Sequence, residues 1–264
     1  MKKIQFNKVL DVNILSPLKV EWRKSLTAPQ DDMWEAFMKN SIHWEIKLND
    51  KIIGYACVNA DNHLLQFFLV PEWMQEGISL FKQFINSQKI KKAVVGTNNP
   101  FFLTVAMHYQ KSIKIDTYLF TEFVKGIVVE TEGTLNLAKP KDLDKLVIFC
   151  HDSTGTPKEW LKEYINNLIN RHDIFVFEKD TEILGTCEVR RNENNPMIAN
   201  IGMIVSPAYR RKGLGTFLLG KAKEMAIKRN KQPICSCERD NIGSLKSIQK
   251  NGFRSIHQIL LMEF

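Results

Sequence analysis

The stretch Ile204-Val-Ser-Pro-Ala-Tyr-Arg-Arg-Lys-Gly-Leu-Gly-Thr216 decides how the rest of the chain is read. Its apolar start ends a strand at Val205, and a helix begins near Gly215. Between them stand a proline, three consecutive basic residues and two glycines. Glycine lets the backbone turn tightly and approach a ligand closely. The free N–H groups of a helix start, with the macrodipole, add positive potential. Strand, basic turn and helix in this order predict an anion site suited to a pyrophosphate. Arg210, Arg211 and Lys212 add charge around it. A glycine-rich turn with solvated basic residues is the plainer alternative, and the ordered combination disfavours it. A P-loop would need Lys after its last Gly, followed by Ser or Thr. A Rossmann fingerprint would need three glycines and a parallel βαβ unit.

Working outward, residues 215–228 read as a helix with Phe217, Leu218, Ala222, Met225 and Ala226 on one face. A strand over 234–237, a helix over 242–251 and a closing strand over 256–264 follow. Upstream, strands are expected over 135–138, 175–178, 184–190 and 198–205, with helices over 142–150 and 159–170. The turn between the second and third of these strands is placed at Lys179-Asp180. The pattern predicts an α/β (α+β) fold, a mixed, mostly antiparallel twisted sheet flanked by helices.

The same pattern occurs twice. The segment from Trp44 to Val58, with a turn at Asn49-Asp50, has the outline of the segment from Ile174 to Val189. Gly54 parallels Gly185, and Cys57 parallels Cys187. Leu65-Gln-Phe-Phe-Leu-Val-Pro71 parallels Ile201-Gly-Met-Ile-Val-Ser-Pro207, and Trp73 and Gly77 then parallel Tyr209 and Gly213. Asn99 and Leu103 match Asn241 and Leu245, and Trp34 matches Trp160. The spacing drifts along the chain as loop insertions would make it. A tandem duplication is the reading, with domains 1–130 and 131–264 joined between Phe123 and Gly133. The first copy is degenerate: Met74-Gln75-Glu76-Gly77-Ile78-Ser79 stands opposite the basic turn, without its cations or its second glycine.

Composition limits the alternatives. At 264 residues, with 44% hydrophobic and 25% charged residues, the chain is long enough for two globular domains. Its net charge of +8, from 37 basic and 29 acidic residues, sits mainly in the second half. That suits a phosphate-bearing ligand as well as plain solubility. The five cysteines form no framework spacing and read as buried thiols of a reducing, cytoplasmic protein. No apolar run reaches the 18 or so residues of a membrane span, and no signal-peptide core follows the N-terminus. The six histidines have no paired ligand spacing, so no metal is expected. Lysines around 89–92 and 221–231 read as wet helix or turn faces, and no nucleic-acid motif accompanies them.

Arg210-Arg211-Lys212-Gly213-Leu214-Gly215 resembles the acyl-CoA signature (Gln/Arg)-x-x-Gly-x-(Gly/Ala) of the GNAT superfamily of acetyl-CoA-dependent N-acetyltransferases. Asp240-Asn241-Ile242-Gly243-Ser244, followed by Lys250-Asn251-Gly252-Phe253, resembles that family's last conserved segment. The resemblance implies that acetyl-CoA is the cosubstrate and that its pantetheine arm enters between a splayed fourth and fifth strand. Met203 and Val205 would offer that arm backbone hydrogen bonds. The amides from Arg211 through Lys212, Gly213, Leu214 and Gly215 to Thr216 would hold the pyrophosphate. Asn241 would bond the pantetheine, or cap its own helix, or both. The N–H of Val205 would polarise the thioester.

Acyl transfer to an amine needs a neutral nucleophile, a donor to the thioester oxygen and an exit for the thiolate. The family's usual Tyr, seven residues after the Asn, is Ile248 here, and Asn200 occupies the usual place of a fourth-strand base. A thiolate can leave without a dedicated acid. Glu188 is the candidate catalytic base, acting through water, against the alternative of a solvent-facing strand residue; Glu193 and His172 are rivals. Cys187, Cys235 and Cys237 read as core, which favours direct transfer in a ternary complex over an acyl-enzyme. The acceptor is expected to be a small-molecule or peptide amine, and a homodimer is left open. The reading from another class is a non-catalytic CoA-binding or protein-interaction module.

Overall fold

The computed structural model describes residues 3–264. Contacts divide it into two compact units. One holds the residues through Tyr118 together with His257–Phe264, the other Leu119–Ile256. In chain order the first unit contains β1 (Ile4–Lys8), α1 (Ser16–Lys24), α2 (Asp32–Lys39), β2 (Ile42–Leu48), β3 (Lys51–Val58), β4 (His63–Leu69), α3 (Gly77–Ser87), β5 (Lys92–Gly96) and α4 (Pro100–Met107), then most of β6 (Ser112–Phe123). The second contains β7 (Thr134–Leu137), α5 (Leu143–Thr154), α6 (Lys158–Asn170), β8 (Ile174–Lys179), β9 (Glu182–Arg191), β10 (Ile198–Val205), α7 (Leu214–Lys228), β11 (Gln232–Glu238), α8 (Ile242–Lys250) and the start of β12 (Phe253–Glu263). Strand order is β1-β2-β3-β4-β5-β12 in the first unit and β7-β8-β9-β10-β11-β6 in the second. Antiparallel pairs dominate, while β4–β5 and β10–β11 are parallel.

Every element expected in the second half is present, with ends shifted by a few residues. No helix or strand spans 124–133, where the join is expected. The hairpin turns show one shift. Asn49-Asp50 is the two-residue turn between β2 and β3, since Leu48 pairs with Lys51. Between β8 and β9 the turn is Asp180-Thr181 rather than Lys179-Asp180, since Lys179 pairs with Glu182. Both turn residues have positive φ, 49° and 70°, as a type I′ turn requires. Both hairpins carry a bulge at the matching place, Ile46/Lys47 and Phe177/Glu178, so Asp180-Thr181 is the counterpart of Asn49-Asp50. The match of Cys57 with Cys187 slips likewise. Cys57 lies opposite Gln66, whereas it is Glu188 that lies opposite Gly202, the counterpart of Gln66.

The compact units differ from a linear division at 130/131 by two strand segments. Residues Leu119 onward of β6 belong to the second unit, and His257–Phe264 belong to the first. There Ile259 to Glu263 pair antiparallel with Gly96 to Lys92 of β5. Leu260 and Met262 enter the core that α3 and α4 build with β3, β4 and β5. β3 and β4 read almost continuously apolar because both faces are covered. That core packs one face, and Leu15, Trp22, Met38, Tyr55 and Phe68 pack the other.

One buried histidine makes the first unit acid-sensitive. His43, 1% exposed, lies with Nδ1 3.0 Å from the Ser41 carbonyl and Nε2 3.0 Å from Lys19 Nζ. This is the neutral tautomer, with Nδ1–H donating to the carbonyl and Nε2 accepting from the ammonium. Burial first, then the Lys19 charge, lowers its pKa to about 4. Unfolded, it would titrate near 6.5. A depressed folded value contributes stability above the unfolded pKa and loses it as pH falls toward the folded one. Unfolding free energy from urea titrations should therefore fall by up to about 3 kcal/mol between pH 6.5 and 4. His43→Gln should flatten that dependence; an unchanged slope would refute the assignment.

Candidate active site

The second unit opens its sheet at one place. β10 pairs with β9 from Ala199↔Arg191 to Val205↔Gly185, but with β11 only at Ile198, Ala199 and Asn200. Beyond Asn200 the edge toward β11 is unpaired, and Gly202 to Val205 turn from buried to half-buried. Ser206 N–H donates to Leu184 O at 3.0 Å, toward β9. Peptide groups alternate sides along a strand, so those of Met203 and Val205 face the open edge. Arg210 Nε donates to the Val205 carbonyl at 3.3 Å, which leaves the Val205 N–H for the cleft.

The turn after β10 holds its shape through three features. Arg210 also donates from Nη2 to the Ser153 carbonyl at the end of α5. This side chain therefore clamps the turn rather than adding free charge to it. Arg211 adopts φ 62° and Gly213 φ 89°, both left-handed. A methyl on Gly213 would meet only Val129 Cγ1 at 3.7 Å, so conformation and not space requires glycine there. Lys212 lies over the Tyr209 ring at 5.1 Å, and Tyr209 donates to Glu182 at 2.8 Å.

The helix that follows starts uncapped. Gly213 supplies no side chain to cap α7, and no acid stands in its first turn. Phe217 N–H, bonded to Gly213 O at 3.1 Å, is its first amide with the usual helical acceptor. The preceding amides and the positive end of the dipole stay available to an anion. α8 differs: Asn241 Oδ1 accepts from Ser244 N at 3.1 Å, a true N-cap. Asn99 caps α4 likewise, so this matched pair carries a structural role in both units.

Gly215 brings α7 against α8. A methyl there would lie 3.0 Å from Ser247 Oγ and 3.5 Å from Met203 Sδ. Buried Asn251 donates from Nδ2 to the Thr216 and Ser247 carbonyls, both at 2.9 Å, tying the two helices at the cleft. Ile248 is 2% exposed and belongs to the packing, not to the cleft surface.

A carboxylate occupies the sheet face opposite α7. Glu188 pairs across the ladder with Gly202, and a methyl on Gly202 would lie 2.7 Å from Glu188 Oε1. The glycine therefore makes room for this side chain over the opened part of β10. Tyr164 of α6 donates to Glu188 Oε2 at 2.7 Å, and Arg190 Nε lies 3.2 Å from Oε1. The Trp160 ring stacks on Tyr164 at 4.7 Å. The rival candidates stand at the other end of the strands. Glu193 pairs with Arg171 at 3.7 Å, and His172 sits in an exposed turn before buried Asp173. From Ala199 to Val205 β10 spans about 20 Å, so both stand toward the far end of the strand from the Val205 peptide.

All five cysteines are buried and free. Burial pushes the Cys187 thiol up to about 12 and that of Cys237 up to about 11. Both are poor nucleophiles there. Among the described residues no three His, Cys, Asp or Glu side chains gather as a metal set, and no helix is long and apolar enough to cross a membrane. Several lysines of the basic stretches have internal partners. Lys223 Nζ donates to Asn251 O at 2.7 Å over the Phe123 ring, Lys221 pairs with Glu224, and Lys92 pairs with Glu263.

Two family models match the sequence, an acetyltransferase (GNAT) domain over residues 11–123 and the acetyltransferase (GNAT) family over 142–253. The chain carries two GNAT domains in tandem. A solved GNAT-family acetyltransferase from Colwellia psychrerythraea is 26% identical, with a TM-score of 0.95 over 98% of this chain and 99% of that one. A GCN5-related N-acetyltransferase from Sphaerobacter thermophilus has a TM-score of 0.70 at 12% identity, covering 98% and 95% of the two chains. A tandem GNAT protein from the clavulanic acid biosynthesis pathway has 0.66 at 12% identity, covering 98% of each. These two share the fold. None of the curated proteins matches the chain.

The N-terminal GNAT domain keeps the outline of the cleft but not its turn. β4 pairs with β5 only at His63 and Leu64. Residues Pro71–Glu76 form a 3-10 helix that runs directly into α3, with Gly77 at φ −54°. The Gly77 amide donates to Met74 O. A methyl on Gly77 would lie 2.8 Å from the Phe101 ring, so the surviving glycine admits an aromatic side chain. In the C-terminal GNAT domain, Asn251 and Tyr164 were not among the expected site residues. Their hydroxyl and amide types are common, and only the fold brings them to the site.

Proposed function

We propose that the C-terminal GNAT domain binds acetyl-CoA as cosubstrate and transfers its acetyl group to an amine. The carrying observation is the opened edge of β10 beside the uncapped start of α7. Amides from Arg211 to Thr216 hold the pyrophosphate, with Arg211 and Lys212 nearby and Arg210 bracing the turn. Met203 and Val205 present their peptide groups to the pantetheine as a neighbouring strand would. The Val205 N–H donates to the thioester oxygen as charge gathers on it. Asn241 faces the arm from α8 with the amide nitrogen that capping leaves unused.

Glu188 takes a proton from the amine through water, oriented by Tyr164 and Arg190 above Gly202. Buried thiols with raised pKa values favour direct attack over a cysteine-bound acyl group. The N-terminal GNAT domain (1–130 in the duplication) carries no phosphate turn, and 131–264 carries the cofactor chemistry. The acceptor is a small-molecule or peptide amine. The test is release of free thiol from acetyl-CoA over a panel of amines, amino acids, polyamines, aminoglycosides and peptides. A second reading, CoA binding without turnover, is favoured by buried Ile248 in place of the usual acid. Saturable CoA binding with no thiol release across the panel would select it.

Glu188→Gln should lower kcat about 100-fold at neutral pH, the lower end of what a general base contributes, with CoA affinity unchanged. Gly202→Ala should act in the same direction by displacing the carboxylate. Turnover insensitive to both would remove Glu188 from the chemistry.

A further inference from the structure

Helix α6 runs back along the strand that follows it. Only residues 171–173 separate α6 from β8, and a connection that short makes antiparallel neighbours. Ile165 and Leu168 of α6 pack with Ile174 and Val176 of β8. β8 lies opposite Glu188 at Ile174 and opposite Gly185 at Phe177. Across β9 those two levels belong to Gly202 and Val205. Moving from the end of α6 toward its start therefore leads along β10 from Gly202 toward Val205. Tyr164, which donates to Glu188 at 2.7 Å, marks the Gly202 level. Trp160 stands one turn earlier, about 6 Å nearer the Val205 level by helical rise. Ile204 packs against the same core as Tyr164, so its side chain lies on this face of the sheet too.

The Trp160 ring has one occupied face. Tyr164 stacks on it with centroids 4.7 Å and planes 18° apart. Trp160 is still 46% exposed, so the face turned away from Tyr164 is open to solvent. A scattered exposed apolar residue needs no explanation. This one ends a line that runs from the Glu188 carboxylate through the Tyr164 hydroxyl and ring. With the amine between Glu188 and the Val205 N–H, the body of the acceptor passes that open face.

An indole face takes either a second ring or a cation. Charge decides between them. Glu188 already has the Arg190 guanidinium at 3.2 Å, so it offers little to a second ammonium on the acceptor. Lys158 and Glu159 beside Trp160 cancel in charge. A flat ring needs no such charge and extends the stack.

We propose that Trp160 selects the acceptor, a primary amine joined to an aromatic ring by a short alkyl arm. This rests on the acyl-transfer reading for the place of the amine.

Calorimetry on the full chain with CoA present compares 2-phenylethylamine, 2-cyclohexylethylamine and spermidine. 2-Phenylethylamine should bind about fivefold tighter than its saturated counterpart, the middle of what an aromatic pair adds beyond buried area. Spermidine should bind more weakly than either. Trp160→Ala should bring the phenyl-to-cyclohexyl ratio close to one, and Trp160→Phe should keep most of it. A merely structural role for the ring would move the melt and leave that ratio alone. No saturable binding of 2-phenylethylamine, spermidine bound as tightly, or a ratio unchanged in Trp160→Ala would each overturn the proposal. The expected ratios without thiol release from acetyl-CoA would uphold the ring site and refute acyl transfer. Thiol release with an amine ranking that ignores Trp160 would do the reverse.

Discussion

Titrating CoA into a Gly215→Glu variant should give a dissociation constant at least ~100-fold weaker than the parent's, a loss of about 2.7 kcal/mol. The parent should bind one CoA per chain. The argument begins with the uncapped α7 start, where no acid stands in the first turn and Gly213 offers no side chain. A carboxylate at 215 would carry negative charge to the place proposed for the pyrophosphate and fill the space between Met203 and Ser247. Folding should survive, because the nearest atom to the new Cβ is the rotatable Ser247 hydroxyl at 3.0 Å and not backbone. Gly213 is the less clean position. Any side chain there meets open space yet must adopt φ 89°, which costs about 1–2 kcal/mol. Calorimetry with a melt on the same sample decides the matter. Parental affinity in a folded Gly215→Glu protein would remove the phosphate assignment, and a stoichiometry near two would assign CoA to the N-terminal domain as well.

Deleting residues 257–264 should abolish the cooperative melt of the first unit while CoA binding persists in the second. β5 has only two paired residues with β4, at Lys92 and Ala93, but five with β12. The deleted segment therefore supplies most of the hydrogen bonding of β5. It also removes Ile259, Leu260 and Met262, which are 6%, 9% and 0% exposed. Truncating one such side chain costs about 2–5 kcal/mol, against a total stability of about 5–15. The single change Met262→Ala should lower unfolding free energy by about 2–5 kcal/mol in urea titrations. Hydrogen exchange along β5 reads the deletion directly. Retained protection there would show that the strand is dispensable.

Local order carried most of the sequence reading. The strand-turn-helix at 204–216 was legible because its elements are contiguous and glycine has few other reasons to sit in such a turn. The hairpins were legible from alternation and turn residues, with the second turn lying one residue further on, at Asp180-Thr181. Cys187 and Cys237 read correctly as core because thiols in apolar strands seldom do anything else. Long-range partners were not legible. Arg210 reads from the sequence as charge around the anion site, and its reach to the carbonyl of Ser153, 57 residues away, has no local signal. Tyr164 and Glu188 lie 24 residues apart on different elements, and nothing in either segment announces the other. Nothing in the sequence around Gly202 pairs it with Glu188; only the register places the two opposite each other. The exchange of strand ends had no local signal, because a closing apolar strand reads the same whichever core receives it.

That exchange also sets the order in which the protein can be finished as it is made. Chains emerge from the ribosome at about 5–20 residues per second, and N-terminal domains commonly fold first. Here the first unit is complete to Tyr118 but lacks the strand that β5 needs until His257–Phe264 appear. The wait is roughly seven to thirty seconds at those rates. Through it β5 remains without its β12 partner and the core without Leu260 and Met262, a natural client surface for a chaperone. The half made second is the half that can close first.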